Sequence, residues 1–507
     1  MITTILFDLG DTLVHAAPPG TPVESLAARP VDGAVRTLQA LSARYRLGAV
    51  TDTAVMTSPQ VRQALAGSGL AELLEVIVTS VDVGAAKPDP RGVRSALAQL
   101  GAEPGETLFV GDTAADHAAA QHAGVRFAST GPDRDPGIAV RAALTADAGA
   151  YAAAAALLGP IDSPAGERAR AHHEQLTKPR GSLGRLEALG IQLAAISGVD
   201  PPPVPAPAAV AVFAADHGVV AEGVTPWPQE VTAAMVANIV GGGAAINVLA
   251  RQARATVTVV DVGVATDLDA FGRIDAPALV RRAVRAGTAN LAAGPAMSDP
   301  EAQAARDIGA EIAASLVDAG ARALVTGEMG IGNTTAAAAV IAALTGRAAH
   351  TVTGRGTGID DDGFRRKTDI VAAALTRLPS DPDPLTVLAH VGGLEIAALA
   401  GFIVAGASHR VPVVVDGVVS GAALLAAHAA FPNVLDYVVA GHRSTEPGAT
   451  AVLDHLGLDP ALDLGMRLGE GTGACLALSV LEAAARILGE MATFDTAQIT
   501  PTNHPPP

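Results

Sequence analysis

Two sets of residues in this chain have the types and spacing to do chemistry. In the first, Asp8 follows the apolar run ITTILF and precedes Gly10, Asp11 and Thr12. Thr51 closes another apolar run, Lys87 sits in GAAKPDP, and Asp112 closes a further run in GDTAAD with Asp116 shortly after. One such Asp taken alone is usually a turn former. Brought to one rim in this order, these acids, hydroxyls and lysine could bind Mg²⁺ and a phosphate, with Asp8 as nucleophile. The second set is three glycine-rich loops: GEMGIGNTT (327–335), GRGTGIDDDG (354–363) followed by Lys367, and RLGEGTGA (467–474). The first loop opens an Ala-rich helix, so its N–H groups and Thr hydroxyls suit a phosphate. Glu470 lies between glycines, where little side-chain crowding keeps it from a ligand. A single glycine loop is most often a tight turn. Three of them, each with an acid or a lysine, point to a ligand site. Neither a GxxxxGK[ST] loop nor a hydride-cofactor fingerprint occurs.

The elements that must position these residues are short β-branched runs alternating with Ala/Leu-rich segments of helical length. That alternation is the signature of a parallel α/β architecture. Expected strands are 2–7, 46–51, 75–80 and 107–112, then 209–216, 255–263, 323–328, 411–416 and 437–441. Many end on an acid or glycine, and ligand crevices in open α/β sheets lie at the carboxyl ends of the strands. The fold expected is α/β, as two Rossmann-like parallel-sheet domains, 1–155 and 160–497. An Ala-rich stretch marks the boundary near 155–165. PPPVPAP (201–207) reads as a connecting loop, and 498–507 as a disordered tail.

Composition narrows the function. Of 507 residues 49% are apolar, which provides a sizeable core. With 34 basic and 51 acidic residues the net charge is −17, a poor match to nucleic acid or an anionic membrane. One cysteine, Cys475, excludes a disulfide framework or a CxxC zinc site, and is expected to serve packing. The N-terminus lacks the basic region of a signal peptide, and no segment reads as a transmembrane helix. A cytoplasmic protein is expected.

Residues 1–140 resemble the haloacid dehalogenase-like hydrolases, through FDLGDTL, VTDT, KPDP and GDTAAD in order. The resemblance implies Asp8 as the phosphorylated nucleophile and Thr51 and Lys87 as phosphate ligands. It implies Asp8, Asp112 and the Gly10 carbonyl as Mg²⁺ ligands, with Asp116 supporting the metal or Lys87. The chain departs from the family at Gly10, where the second Asp of DxDGT, the general acid/base, is expected. Here that Asp is displaced to Asp11, and Asp52 replaces the more usual Asn. Phosphatase activity and a weak phosphate-binding or scaffold role therefore both stay open. Short spacings between motifs imply a domain without a large cap.

Residues 165–495 resemble the nicotinate-nucleotide–dimethylbenzimidazole phosphoribosyltransferases. The matching segments include LTKPRGSLGRLE, AADHGVVAEGVTPWPQEVT, GEMGIGNTT, GRGTGID, GHRSTEPG and LGMRLGEGTGA. The resemblance implies transfer of phosphoribose from nicotinate mononucleotide to 5,6-dimethylbenzimidazole, giving α-ribazole 5′-phosphate and nicotinate, with no cofactor. Glu470 matches the catalytic base, and Glu328 and Lys367 match active-site positions. Ser444 and Leu468 match the base pocket. Gly330, Gly332, Asn333, Thr334, Gly356 and Thr357 would hold the 5′-phosphate. A homodimer and a small helical subdomain built from both chain ends are also implied, with 167–198 as two helices broken at 179–181. Asp216, His217 and Asp416 are expected to be structural. Ala449 stands where His is frequent; Ala234 stands where a base-facing Gln is frequent, so another acceptor such as adenine is the alternative. A nucleotide-binding protein with an inactive phosphatase-like domain is the other. The fusion itself suggests that the first domain acts on α-ribazole 5′-phosphate.

Overall fold

Strands β1 (Thr4–Phe7), β2 (Arg46–Thr51), β3 (Val76–Thr79), β4 (Thr107–Gly111) and β5 (Arg126–Ser129) form one parallel sheet in the order β3-β2-β1-β4-β5. They belong to a computed structural model that describes residues 1–16, 28–131, 134–271 and 278–499. The chain divides into two units, Met1–Gly159 and Pro160–Pro507. In the first, helices cover the sheet, so β1 is buried along its length and reads as continuous apolar sequence. Register brings the reactive ends together. Phe7 pairs with Ala49 and with Val110, so Asp8, Thr51 and Asp112 leave the sheet at one edge. β5 was not among the expected strands. Its RFAS sequence carries no apolar run, because it is an edge strand with partly exposed residues.

The second unit has one six-stranded sheet: β6 (Ala208–Ala215), β7 (Thr256–Gly263), β8 (Leu279–Arg281), β9 (Ala323–Met329), β10 (Val413–Val415) and β11 (Val438–Ala440). All pairs are parallel, in the order β11-β10-β9-β6-β7-β8. The chain winds outward from β6 through β7 to β8, then restarts at β9 and winds the other way. The reversal lies between β6 and β9, where a parallel sheet opens a crevice at its carboxyl edge. β8 is a second unexpected edge strand; its LVR is only partly buried and ends on an exposed arginine, so it leaves no apolar run.

Helices Ser163–His173 and Arg185–Ser197 pack on the last helix, Thr472–Glu490, through Ala169, Ala194 and Leu488. The Phe494 N–H donates to the Gln175 carbonyl at 2.8 Å, tying the end of this unit to its beginning. The break between the first two helices spans 174–184, wider than expected. The expected tail, 498–507, lies mostly outside the described residues, which end at 499. By length and composition, Val231–Ala253 and Thr472–Glu490 are apolar enough to cross a membrane. The first is two helices separated at 241–244, and the second has ten buried residues packed in the core.

Candidate active sites

In the second unit a cavity of about 730 Å³ opens at the carboxyl edge of the sheet. Glu328, from the end of β9, and Glu470 both line it. Glu470 is 5% exposed and has φ 63°, between Gly469 at 89° and Gly471 at 91°. Three successive left-handed residues thus turn the chain into the helix Thr472–Glu490. Only glycine adopts this backbone freely, so Glu470 holds its place at a cost of about 1–3 kcal/mol. Close approach explains the flanking residues. A Cβ on Gly469 would lie 2.2 Å from Glu328 Oε1, and one on Gly327 would lie 2.6 Å from the Glu470 carbonyl. The Ile246 N–H donates to Glu470 Oε2 at 3.4 Å.

These acids hold protons more tightly than usual. Burial, reinforced by Asp416 and Glu395, pushes Glu328 up to about 8, although Asn333 Nδ2 donates to its Oε2. Burial also raises Glu470, with a smaller contribution from Asp416. Asp416 lies beneath, accepting from the Ala474 N–H at 2.9 Å and facing His442 Nε2 at 3.4 Å.

Another part of the wall is built from glycine loops. Gly330, Asn333, Thr334, Gly356 and Thr357 line it, at the start of the helix Asn333–Thr345 and in the second glycine loop. Lys367 is 1% exposed and is not part of the wall. Its Nζ donates at 2.8 Å to Thr334 Oγ1, which is. Burial lowers Lys367 to about 8 against the opposing pull of Glu446. Gly332 is also off the wall; its φ of 91° caps the helix start.

Ser444 and Leu468 line the cavity together with Trp227, Val231 and Met235. Ala234 does not, although its helix contributes Val231 and Met235. Glu446 was missed in the sequence. Its Oε1 accepts from the Gly356 N–H at 3.1 Å, and it is 7% exposed. Its signal was its place in GHRSTEPG, just before a helix-starting Pro447. Asp216 and His217 lie at the end of β6, where His217 Nε2 and Glu395 Oε1 stand 2.9 Å apart, both fully buried. Burial opposes a charge on His217, and Glu395 beside it prevails, raising its pKa. Cys475 is buried in the core, which pushes its thiol up to about 11.

In the first unit, Asp8 is 6% exposed beside Lys87. Lys87 Nζ contacts Asp8 Oδ1 and reaches Asp116 Oδ1 at 2.5 Å. Burial raises Asp8 to about 6; Lys87 pulls it down and Asp116 pushes it up. Asp112 accepts from Thr12 Oγ1 at 3.3 Å, and Thr51 is buried at the end of β2. Asp8, Asp112 and Asp116 each offer a carboxylate oxygen within 4.8 Å of the others, a donor set that fits a hard cation. Asp116 is already engaged. Its Oδ2 accepts from the Thr113 N–H at 2.9 Å in the capping box of the helix Ala114–Ala123.

Comparison with known proteins follows the same division. Residues 158–499 match the family model described as phosphoribosyltransferase. Residues 23–130 match that described as haloacid dehalogenase-like hydrolase, a segment that begins after Asp8. Relatives named nicotinate-nucleotide–dimethylbenzimidazole phosphoribosyltransferase include that of Salinispora tropica, 55% identical over 354 residues, covering 68% of this chain and 97% of the relative. That of Chloroflexus aurantiacus is 53% identical over 344 residues, covering 68% and 96%. The crystal structure of the enzyme of that name from Thermus thermophilus is similar at 48% identity with a TM-score of 0.64, covering 68% of this chain and 100% of that one. Through residues 158–499 the chain therefore belongs to the nicotinate-nucleotide–dimethylbenzimidazole phosphoribosyltransferase family, and it carries a haloacid dehalogenase-like unit ahead of that region.

Proposed function

We propose that the second unit transfers the 5-phosphoribosyl group of nicotinate mononucleotide to 5,6-dimethylbenzimidazole, releasing nicotinate and α-ribazole 5′-phosphate. The observation that carries this is one cavity lined both by a buried carboxylate pair, Glu328 and Glu470, and by glycine-loop residues with Thr334. Its apolar part, Trp227, Val231, Met235 and Leu468, suits a flat aromatic base. Glu470 takes the N–H proton of the benzimidazole while the other ring nitrogen attacks C1′. A raised pKa keeps it a stronger base than a solvated carboxylate, and strained backbone aims it. Nicotinate leaves from a cationic pyridinium, so the departing group needs no proton. Glu328 keeps its own proton near pH 7 and donates it as a hydrogen bond to the sugar or base. Thr334, Gly356 and Thr357 hold the phosphate, and Lys367 supplies its charge through Thr334.

The family resemblance supports a cytoplasmic homodimer; sedimentation should then give twice the 50.5 kDa chain mass. In the first unit we assign Asp8, Asp112 and the Gly10 carbonyl to Mg²⁺, which when bound would neutralise phosphate charge. The central test is to supply purified protein with nicotinate mononucleotide and a panel of bases. Formation of α-ribazole 5′-phosphate is expected. Transfer to adenine in preference would replace the acceptor, and no transfer to any base would leave a binding protein.

A further inference from the structure

Among the described residues no carboxyl group stands free beside the nucleophile of the first unit, and the one ammonium there, Lys87, is shared between Asp8 and Asp116. Gly10 is beside Asp8: a Cβ there would lie 4.0 Å from Asp8 Oδ2, with no nearer atom. The other carboxylates around the site are held. Asp11 is turned by a left-handed backbone, φ 53°, and its Oδ1 accepts from the Ala16 N–H at 2.8 Å. Asp52 accepts the Lys87 N–H with both oxygens at 3.1 Å. Asp116 holds Lys87 and Thr113, and Asp112 accepts from Thr12.

We infer that the first unit accepts phosphoryl groups only from donors with weakly basic leaving groups, of which acyl phosphates are the type, and then retains the group on Asp8. The step balances without an acid. An Asp8 carboxylate oxygen attacks phosphorus, the bond from phosphorus to the acyl oxygen breaks, and its electron pair departs as a stable carboxylate. An alkyl phosphomonoester would instead release an alkoxide, which must take a proton as it leaves. The same missing group would draw the proton from water in the second step, so the aspartyl phosphate persists. General acid/base groups contribute ~10²–10⁴-fold, which sets the size of the discrimination. This inference rests on reading Asp8 as the nucleophile and is independent of the transferase reaction.

The full chain is incubated with Mg²⁺ and acetyl phosphate, and its intact mass is measured. One added phosphoryl group is expected, removed by hydroxylamine and absent from Asp8→Asn. Circular dichroism confirms that this variant is folded, and Lys87 keeps Asp116 as partner there. Ribose 5-phosphate should be released at background rate by the unaltered protein. Gly10→Asp, at a position with room for a Cβ, should raise that release by ~10²-fold or more and abolish the stable adduct. Three results would overturn the proposal: no adduct on the folded protein, an adduct that survives in Asp8→Asn, or ribose 5-phosphate hydrolysis in the unaltered protein equal to that of Gly10→Asp.

Discussion

Glu470 combines a carboxylate in a largely apolar cavity wall with a backbone conformation that side-chain-bearing residues avoid. Replacing it with Gln keeps the shape and removes the base. Turnover should fall ~10²–10⁴-fold with the unfolding midpoint unchanged, and near-normal turnover would remove Glu470 from the reaction. The pH profile follows from the shifts. As the proposed base Glu470 acts unprotonated, so turnover should rise as pH passes its raised pKa. In its proposed phosphate role Lys367 acts protonated, and burial lowers it to about 8, so affinity for the nucleotide should fall above that pH. Lys367→Ala should raise the KM for nicotinate mononucleotide more than that for the base, because its Nζ meets Thr334, the proposed phosphate ligand. Lys367→Arg should move the alkaline limb upward. A limb that stays near 8 in that variant would assign it to Glu328, whose own value is about 8.

Loops 327–335 and 467–474 are built against each other. Gly469 has φ 89° and no space for a Cβ beside Glu328 Oε1, so Gly469→Ala meets both strain and a clash. A cost of about 1–3 kcal/mol is expected in chemical denaturation, together with a fall in turnover. Gly327→Ala meets the Glu470 backbone rather than a side chain, which cannot swing away, and should lower turnover with little change in the KM for nucleotide. Unchanged turnover in both variants would show that the loops are not held in register by these glycines. The central strands β1, β6 and β9 were legible because burial on both faces leaves continuous apolar runs. The edge strands β5 and β8 were not, since their residues are partly exposed and leave no such run, whereas the edge strands β3 and β11 are largely buried and were legible.

The relative from Salinispora tropica is matched over 97% of its length by 68% of this chain. The contact division at Gly159 places the whole cavity within the second unit. Residues 160–507 expressed alone should therefore fold and keep the transferase kcat/KM of the full chain. A large loss on removing 1–159 would show that the first unit supports the second.

The order and spacing of motifs along the chain already identified both units, because catalytic groups in α/β proteins are carried at strand ends and in glycine loops that local sequence specifies. GEMGIGNTT, RLGEGTGA and GDTAAD are readable without a fold, since their backbone needs are met within a few residues. The tertiary structure alone decided what surrounds each group. It put Lys367 behind Thr334 rather than on the wall, Ala234 off the cavity, and Glu446 under the second glycine loop. It also bound the Asp11 carboxylate to the Ala16 N–H. Burial and proximity depend on residues far apart in the chain, and it is burial that moves Glu328 and Lys367 to about 8.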